Sequence, residues 1–215
     1  MSKKLLKFYN LGGFGADPGM DRLLAGAGYA QASNSADADI IVFNGGQDVG
    51  TSLYGERPIL SYIPEAPSDR DKYEHEVFDT VKGSKFTLGI CRGAQFLNVM
   101  NGGTLWQDVD KHGRDHTMLD LVSGLTYRAT STHHQMMRPN FNIDNLLVGV
   151  ASEATVRRRD GETQNINPKT NPDLDVEIMW YPGNRSLCIQ GHPEYVPGSE
   201  FADYCLGLVG KFYRE

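Results

Sequence analysis

No stretch of the 215-residue chain approaches the roughly 20 apolar residues that a membrane-spanning helix requires. The start, MSKKLLKFYNLGGFG, has a lysine pair, but its apolar run is too short and too soon broken for a secretory signal. Cysteine is scarce as well. Three cysteines, an odd number, with no Cys-x-x-Cys pair and no His/Cys ligand spacing, suggest neither a disulfide framework nor a zinc site. Positive charge is outweighed, 21 Lys and Arg against 27 Asp and Glu, which argues against a nucleic-acid surface. The one basic cluster, Arg157-Arg158-Arg159, is followed at once by Asp160 and Glu162 and reads as a solvated turn. There is no internal repeat, low-complexity tract or interdomain linker. These absences point to one soluble domain over residues 1–215, in a reducing, cytoplasmic setting that would keep a working thiol free.

What is present is concentrated in Phe86–Gly103, FTLGICRGAQFLNVMNGG. Phe86–Ile90 reads as a buried strand and Ala94–Met100 as a helix, with Cys91 between them in the pattern Gly89-Ile90-Cys91-Arg92-Gly93. Strand, sharp turn, helix with a nucleophile at the bend is the geometry of a nucleophile elbow, here with cysteine in place of serine. Glycine is needed on both sides because flanking side chains would collide there. The helix that follows directs free N–H groups and its positive dipole end at the sulfur, which favours thiolate. Cys188 and Cys205 lie in apolar runs and read as core cysteines.

The first half alternates strand and helix. Leu5–Tyr9, Tyr29–Ala32 and Ala38–Phe43 read as strands; Pro18–Ala27, with Asp17 as its cap, and Tyr73–Val81 read as helices; Gln47–Arg70 is loop-rich. That alternation indicates a parallel sheet covered on both faces. Later, Leu125–Thr130 and Asn145–Ser152 read as strands, Arg158–Pro172 as a protruding loop or hairpin, and Val176–Tyr181 with Leu187–Gln190 as an antiparallel pair around Pro182-Gly183-Asn184. Ser199–Tyr213 is the last helix.

Three further segments carry chemistry. His192 and Glu194, in Gln190-Gly191-His192-Pro193-Glu194-Tyr195, follow a strand end. A histidine base beside Cys91, with a carboxylate turning back across the Pro193 bend to fix its tautomer, would complete a triad. Asn44-Gly45-Gly46 follows the Ala38–Phe43 strand, and its glycines let the backbone approach closely. An oxyanion needs two positioned N–H donors, one from Arg92 just after the nucleophile and one from such a loop. Ser131-Thr132-His133-His134-Gln135 offers two adjacent histidines. Neighbours on a strand face opposite ways, and no carboxylate or further histidine pattern accompanies them, so the segment reads as a polar pocket wall without metal.

Together these pieces resemble a class I glutamine amidotransferase-like domain, most closely the γ-glutamyl-γ-aminobutyrate hydrolase family. The matching residues are Gly45-Gly46-Gln47-Asp48-Val49, Ser52-Leu53-Tyr54-Gly55, Asp69-Arg70-Asp71, Gly89 to Val109, Ser131 to Gln135, and Gln190 to Glu194. The resemblance implies a flavodoxin-like α/β fold: a doubly wound, mostly parallel sheet with helices on both faces and a small antiparallel extension. It implies catalytic Cys91, His192 and Glu194, oxyanion donors Gly46 and Arg92, and substrate contacts from Gly45, Gln95, Ser131, His133 and His134. Asp69-Arg70-Asp71 is expected to brace the loop after Gly55. The chain departs from the family at Gly191, where a bulky residue is usual, and Arg157–Pro172 matches no family motif. The expected chemistry is cofactor-free hydrolysis of a small-molecule γ-glutamyl amide through a thioester on Cys91. Two other readings remain: a glutaminase subunit passing ammonia to a separate synthetase or ligase chain, and a catalytically silent scaffold that acts as a binding module.

Overall fold

The computed structural model describes residues 5–11, 18–151, 155–167 and 175–215. Asp17, Ser152 and the 168–172 part of the expected loop lie outside the described residues. Among the described residues there are fourteen strands: β1 Lys7–Asn10, β2 Ala30–Gln31, β3 Ile40–Phe43, β4 Phe86–Ile90, β5 Thr104–Trp106, β6 Asp108–Val109, β7 His116–Asp120, β8 Thr126–Ala129, β9 Met136–Arg138, β10 Leu146–Ala151, β11 Val156–Arg159, β12 Glu162–Asn165, β13 Asp175–Tyr181 and β14 Ser186–Ile189. The α-helices are α1 Gly19–Gly26, α2 Asp69–Val81, α3 Arg92–Met100 and α4 Glu200–Phe212.

Nine strands form one sheet in the order β2-β1-β3-β4-β14-β13-β10-β7-β8. The first five are parallel neighbours, and from β13 onward each pairing is antiparallel. The parallel half has the flavodoxin-like order, in which the carboxyl ends of the strands form the ligand crevice. Strands β3, β4 and β14 at the centre of the sheet are buried along their whole length because both faces are covered. Side chains alternate between the two covers. Ile40 and Val42 pack with Leu24 of α1 and Phe201 and Phe212 of α4. Ile41 and Phe43 pack with Phe78 of α2 and Phe96 and Leu97 of α3. No helix among the described residues is long and apolar enough to cross a membrane.

The β13–β14 pair forms as expected, with Ile178 opposite Ile189 and Tyr181 opposite Ser186. Helix α2 begins four residues earlier than Tyr73. Ser68 caps it by accepting from the Asp71 N–H at 3.0 Å, while the Asp71 carboxylate accepts from the Ser68 N–H at 2.8 Å. The expected hairpin is β11–β12, turning at Asp160-Gly161. Its arginines are not a solvated turn. Arg157 is buried against the Trp106 ring, Arg158 pairs with Asp108 at 2.7 Å, and Arg159 pairs with Glu56. Each found a carboxylate or an aromatic face that sequence proximity does not reveal; Arg157 has Asp175 as its carboxylate, 3.4 Å away.

Helix α3 is pressed so tightly into the sheet that two backbone segments touch. A Cβ placed on Gly93 would lie 2.0 Å from the Phe43 carbonyl oxygen, and one on Gly89 would lie 2.6 Å from the Gly93 carbonyl oxygen. Both obstacles are backbone, which cannot swing aside. Gly93→Ala is therefore expected to destabilise the fold by about 3 kcal/mol or more, the range of overpacked and strained sites. Urea unfolding followed by circular dichroism checks this; a midpoint matching wild type would contradict the packing described.

Candidate active site

Three adjacent parallel strands deliver three segments to one edge of the sheet. Strand β3 ends in Asn44-Gly45-Gly46, β4 runs into Cys91, and β14 leads through Gln190 and Gly191 to His192. Cys91 sits at φ 51°, ψ −112°, a left-handed conformation that a non-glycine residue adopts only under constraint. The constraint is visible: the Cys91 N–H donates to the Ile189 carbonyl at 2.8 Å, and its own carbonyl accepts from the Gln95 N–H of α3 at 3.0 Å. The residue is thus pinned between the neighbouring strand and the helix it starts.

His192 meets Cys91 across Gly45. The position a Gly45 Cβ would take lies 3.0 Å from His192 Cε1 and 3.6 Å from Cys91 Cβ, so glycine there leaves the clearance for the two side chains to approach. His192 Nδ1 is 2.8 Å from Glu194 Oε1, with Glu194 carried on the short turn Pro193–Tyr195. With Nδ1 engaged, Nε2 is left buried and without a well-aligned partner, facing the sulfur. Burial opposes a charge on this ring, but hydrogen bonding and charge from Cys91 and Glu194 outweigh it and raise its pKa well above the ordinary histidine range. The Tyr195 ring stacks on the imidazole at 4.2 Å between centroids. Burial pushes the Cys188 and Cys205 thiols up, as befits core cysteines.

Gly191 is explained by its surroundings. A Cβ there would lie 2.8 Å from the Phe201 ring of α4 and 3.1 Å from the Thr130 carbonyl oxygen. Thr130 also accepts the His192 N–H at 2.9 Å. This pairing sets the Ser131–Gln135 segment beside the histidine.

The side chains behind the site were not legible in sequence. Arg92 turns its guanidinium away from the cavity, fully buried, to pair with Asp71 and Glu74 of α2. Glu74 also accepts from Arg70 Nε at 2.8 Å, and Arg70 donates to the carbonyls of Asn44 at 2.8 Å and Gly45 at 3.0 Å. Arg70 and Asp71 are therefore bracing residues, but the loop that Arg70 braces carries Gly46, whose φ of +146° is a glycine conformation, and is not the expected loop after Gly55. Asp69 is exposed and pairs with Lys72 at 3.2 Å. Glu74 is the hub that sequence reading missed. The Arg92 N–H, first in α3, has no intrahelical acceptor.

A cavity of about 250 Å³ opens over the pair, lined by Gly46, Cys91, Arg92, Gln95, His133, His134 and His192, together with Asp48, Thr132, Gln135 and Tyr195. Glu194 stands behind the imidazole. Gly45 and Ser131 do not line the cavity, and Ser131 instead donates to the His112 carbonyl at 2.5 Å. Gln95 donates to the Gln135 carbonyl at 2.9 Å. His134 Nε2 lies 3.2 Å from both Asp48 carboxylate oxygens, a contact that raises its pKa. His133 is the opposite case: burial lowers its pKa to about 3, so the ring is neutral.

Two outcomes are expected. Because the folded pKa of His192 lies above its unfolded value, its stabilisation is complete below about 6.5, the unfolded value, and is lost as pH rises through the folded one. The difference in unfolding free energy between wild type and His192→Gln should shrink across that window, and the imidazole NMR titration of His192 should move down in Cys91→Ala. A His192 titrating at its ordinary value would sink both. Glu74→Gln should cost about 3–5 kcal/mol, because it leaves buried guanidinium groups uncompensated, as read by urea unfolding.

Residues 29–194 match the family described as Peptidase C26. The chain is 31% identical to the glutamine amidotransferase-like protein YvdE of Lactococcus lactis, over 67% of this chain and 65% of that one. It therefore spans just under two thirds of that relative's length. It is also 31% identical to the carbamoyl phosphate synthase small chain of Polynucleobacter necessarius, over 52% of this chain and 24% of that one. In fold it is similar to a Thermoplasma acidophilum protein assigned as a subunit of GMP synthase, with a TM-score of 0.66 at 16% identity, covering 99% of this chain and 96% of the other. With an α/β fold, a cysteine elbow and a facing histidine already in place, the chain belongs to the Peptidase C26 family and is glutamine amidotransferase-like.

Proposed function

We propose that this protein hydrolyses the side-chain amide of glutamine or of a γ-glutamyl amine, with Cys91 as nucleophile. The observation that carries the reading is the buried Cys91–His192–Glu194 series at the mouth of a cavity sized for a small amino-acid derivative. The Cys91 sulfur attacks the substrate Cδ while His192 holds the thiol proton. The oxyanion so formed accepts hydrogen bonds from the N–H groups of Gly46 and Arg92, donors fixed before the reaction begins. The C–N bond then breaks, His192 Nε2 protonates the leaving amine, and a γ-glutamyl thioester remains on Cys91. Water, deprotonated by His192, releases glutamate and restores the thiol. Glu194 keeps Nδ1 protonated and the ring aimed. Gln95 and His134 are the polar cavity-wall residues assigned to the glutamyl end. His133 keeps its place in that wall by packing, and Gly45 and Ser131 contribute through clearance and bracing.

A second reading has a specific observation behind it. Similarity to a carbamoyl phosphate synthase small chain favours a glutaminase whose ammonia goes to a separate synthetase or ligase chain. The two readings part on the leaving amine.

A panel of γ-glutamyl compounds assayed for glutamate, and separately for ammonia, decides. Cys91→Ala is expected to lose at least about 10⁴-fold in turnover, and Glu194→Ala about 10²-fold. A chloroketone analogue of glutamine should add once, at Cys91, by intact mass. Wild-type turnover in Cys91→Ala would refute the assignment. A folded protein that neither turns over nor labels would favour the silent scaffold.

A further inference from the structure

A second concentration of titratable side chains lies beside the cavity, and the hydrolysis does not use it. His112 follows β6, His133 precedes β9, and Glu177 and Asp175 sit on β13. All are at least nine-tenths buried: His112 is 1% exposed, His133 4% and Glu177 1%. They come from segments up to 65 residues apart (His112 to Glu177), which is why adjacent His133 and His134 gave no ligand pattern in the sequence.

The ring nitrogens are already sorted. His112 Nε2 is 2.9 Å from Asp175 Oδ2, and His133 Nδ1 is 2.8 Å from the Gln135 carbonyl oxygen. A carbonyl can only accept, so His133 Nδ1 bears the proton and Nε2 presents a lone pair. That Nε2 is 4.0 Å from Glu177 Oε1, and His112 Nδ1 is 3.2 Å from the same oxygen without hydrogen-bond alignment. His112 Nδ1, His133 Nε2 and Glu177 Oε2 are all buried with no hydrogen-bond partner among the described residues. Two buried ring nitrogens facing one carboxylate without an aligned partner are costly unless something occupies the space between them.

We propose that His112 Nδ1, His133 Nε2 and the Glu177 carboxylate form a binding site for a divalent transition-metal ion of the zinc class. One ligand atom from each residue lies within 4.8 Å of the others. A tetrahedral zinc with bonds of about 2.0–2.1 Å sets its ligands roughly 3.3 Å apart, so a contraction of under about 1 Å in the ligand positions suffices. Each histidine also has the outer partner that metal-bound imidazoles carry, a carboxylate on His112 and a backbone carbonyl on His133. His116, with Nε2 3.0 Å from Glu177 Oε1, orients the carboxylate. Imidazole and carboxylate together suit zinc rather than calcium or magnesium. The ion's role is to fasten the pocket wall. His133 and Gln135 line the cavity, and Gln135 holds Gln95, so a metal at this point ties the wall to β13. The rival is a proton on His112 shared between Asp175 and Glu177, which would leave no room for an ion.

The test reads metal and not turnover, so it stands apart from the hydrolase reading. Chelator-treated full chain is loaded with Zn²⁺ or Co²⁺, desalted and analysed by elemental mass spectrometry. About one ion per chain is expected, with a cobalt spectrum lacking thiolate-to-metal charge transfer. His112→Gln and Glu177→Gln should each weaken binding by at least about 10-fold, while Cys91→Ser should retain it. No retained metal in the folded wild type establishes the proton-bridged rival. A thiolate band, or loss of binding in Cys91→Ser, puts the ion at the Cys91–His192 pair instead. Either result overturns the proposal, and both are readable if the His112 and Glu177 variants do not fold.

Discussion

One carboxylate, Glu74, holds both halves of the candidate oxyanion site in place without touching the cavity. Its two oxygens reach Arg70 and Arg92, and those two arginines control different pieces of backbone. Arg70 clamps the carbonyls of Asn44 and Gly45, and so sets where the Gly46 N–H points. Arg92 is drawn into the interior by Glu74 and Asp71, which fixes the first turn of α3 and with it the N–H just after the sulfur. Buried charges are expensive to desolvate and repay that cost only when every partner is present. Two guanidinium groups against two carboxylates match charge for charge, with Arg92 Nε the one guanidinium nitrogen of the cluster that lacks a hydrogen-bond partner among the described residues. An arrangement of this kind suits positioning better than stability, because the geometry of each ion pair is fixed by the others.

The sheet supplies the remaining order. Parallel strands β3, β4 and β14 end at the same edge, so residues nearly 150 positions apart in sequence, from Asn44 to His192, become neighbours with no long-range device beyond strand register. The strain at Cys91 follows from this. The strand must stop and the helix must begin within one residue, because α3 is packed directly on β3 and β4. Turn, clearance and dipole therefore have a common origin in close helix–sheet contact, and at Cys91 all three act on a nucleophile.

The elbow was legible because its constraints are local. Gly89 and Gly93 are required by atoms within a few residues or on the adjoining strand, and the apolar run before Cys91 has a strand's composition. The His192–Glu194 spacing was readable for the same reason. Glu74 was not, since a glutamate on a polar helix looks like a solvated charge until its partners are seen. The same holds for Arg157, Arg158 and Arg159. Strand β7 was missed because its buried face includes His116 and Asp120, which break the apolar alternation that signals a strand. The Ser68–Asp71 capping box was in plain view, but aspartate in place of glutamate at its last position hid it.

Gly191 separates what the family pattern fixes from what it leaves free. The family resemblance implies a bulky residue before the histidine, and this chain has Gly191 there. In this chain the Phe201 ring of α4 stands within 3 Å of where a Gly191 Cβ would be, and the Thr130 carbonyl lies just beyond. The volume has been filled from another element. Phe201 thus brings the C-terminal helix against the backbone that leads into His192. The imidazole is then held by three separate pieces of structure: Glu194 on one ring nitrogen, Tyr195 on one face, and the Thr130–Phe201 packing under its backbone. With these three supports in place, the direction of Nε2 does not depend on a bulky side chain at position 191, and the glycine there bears on the packing around the histidine and not on its chemistry.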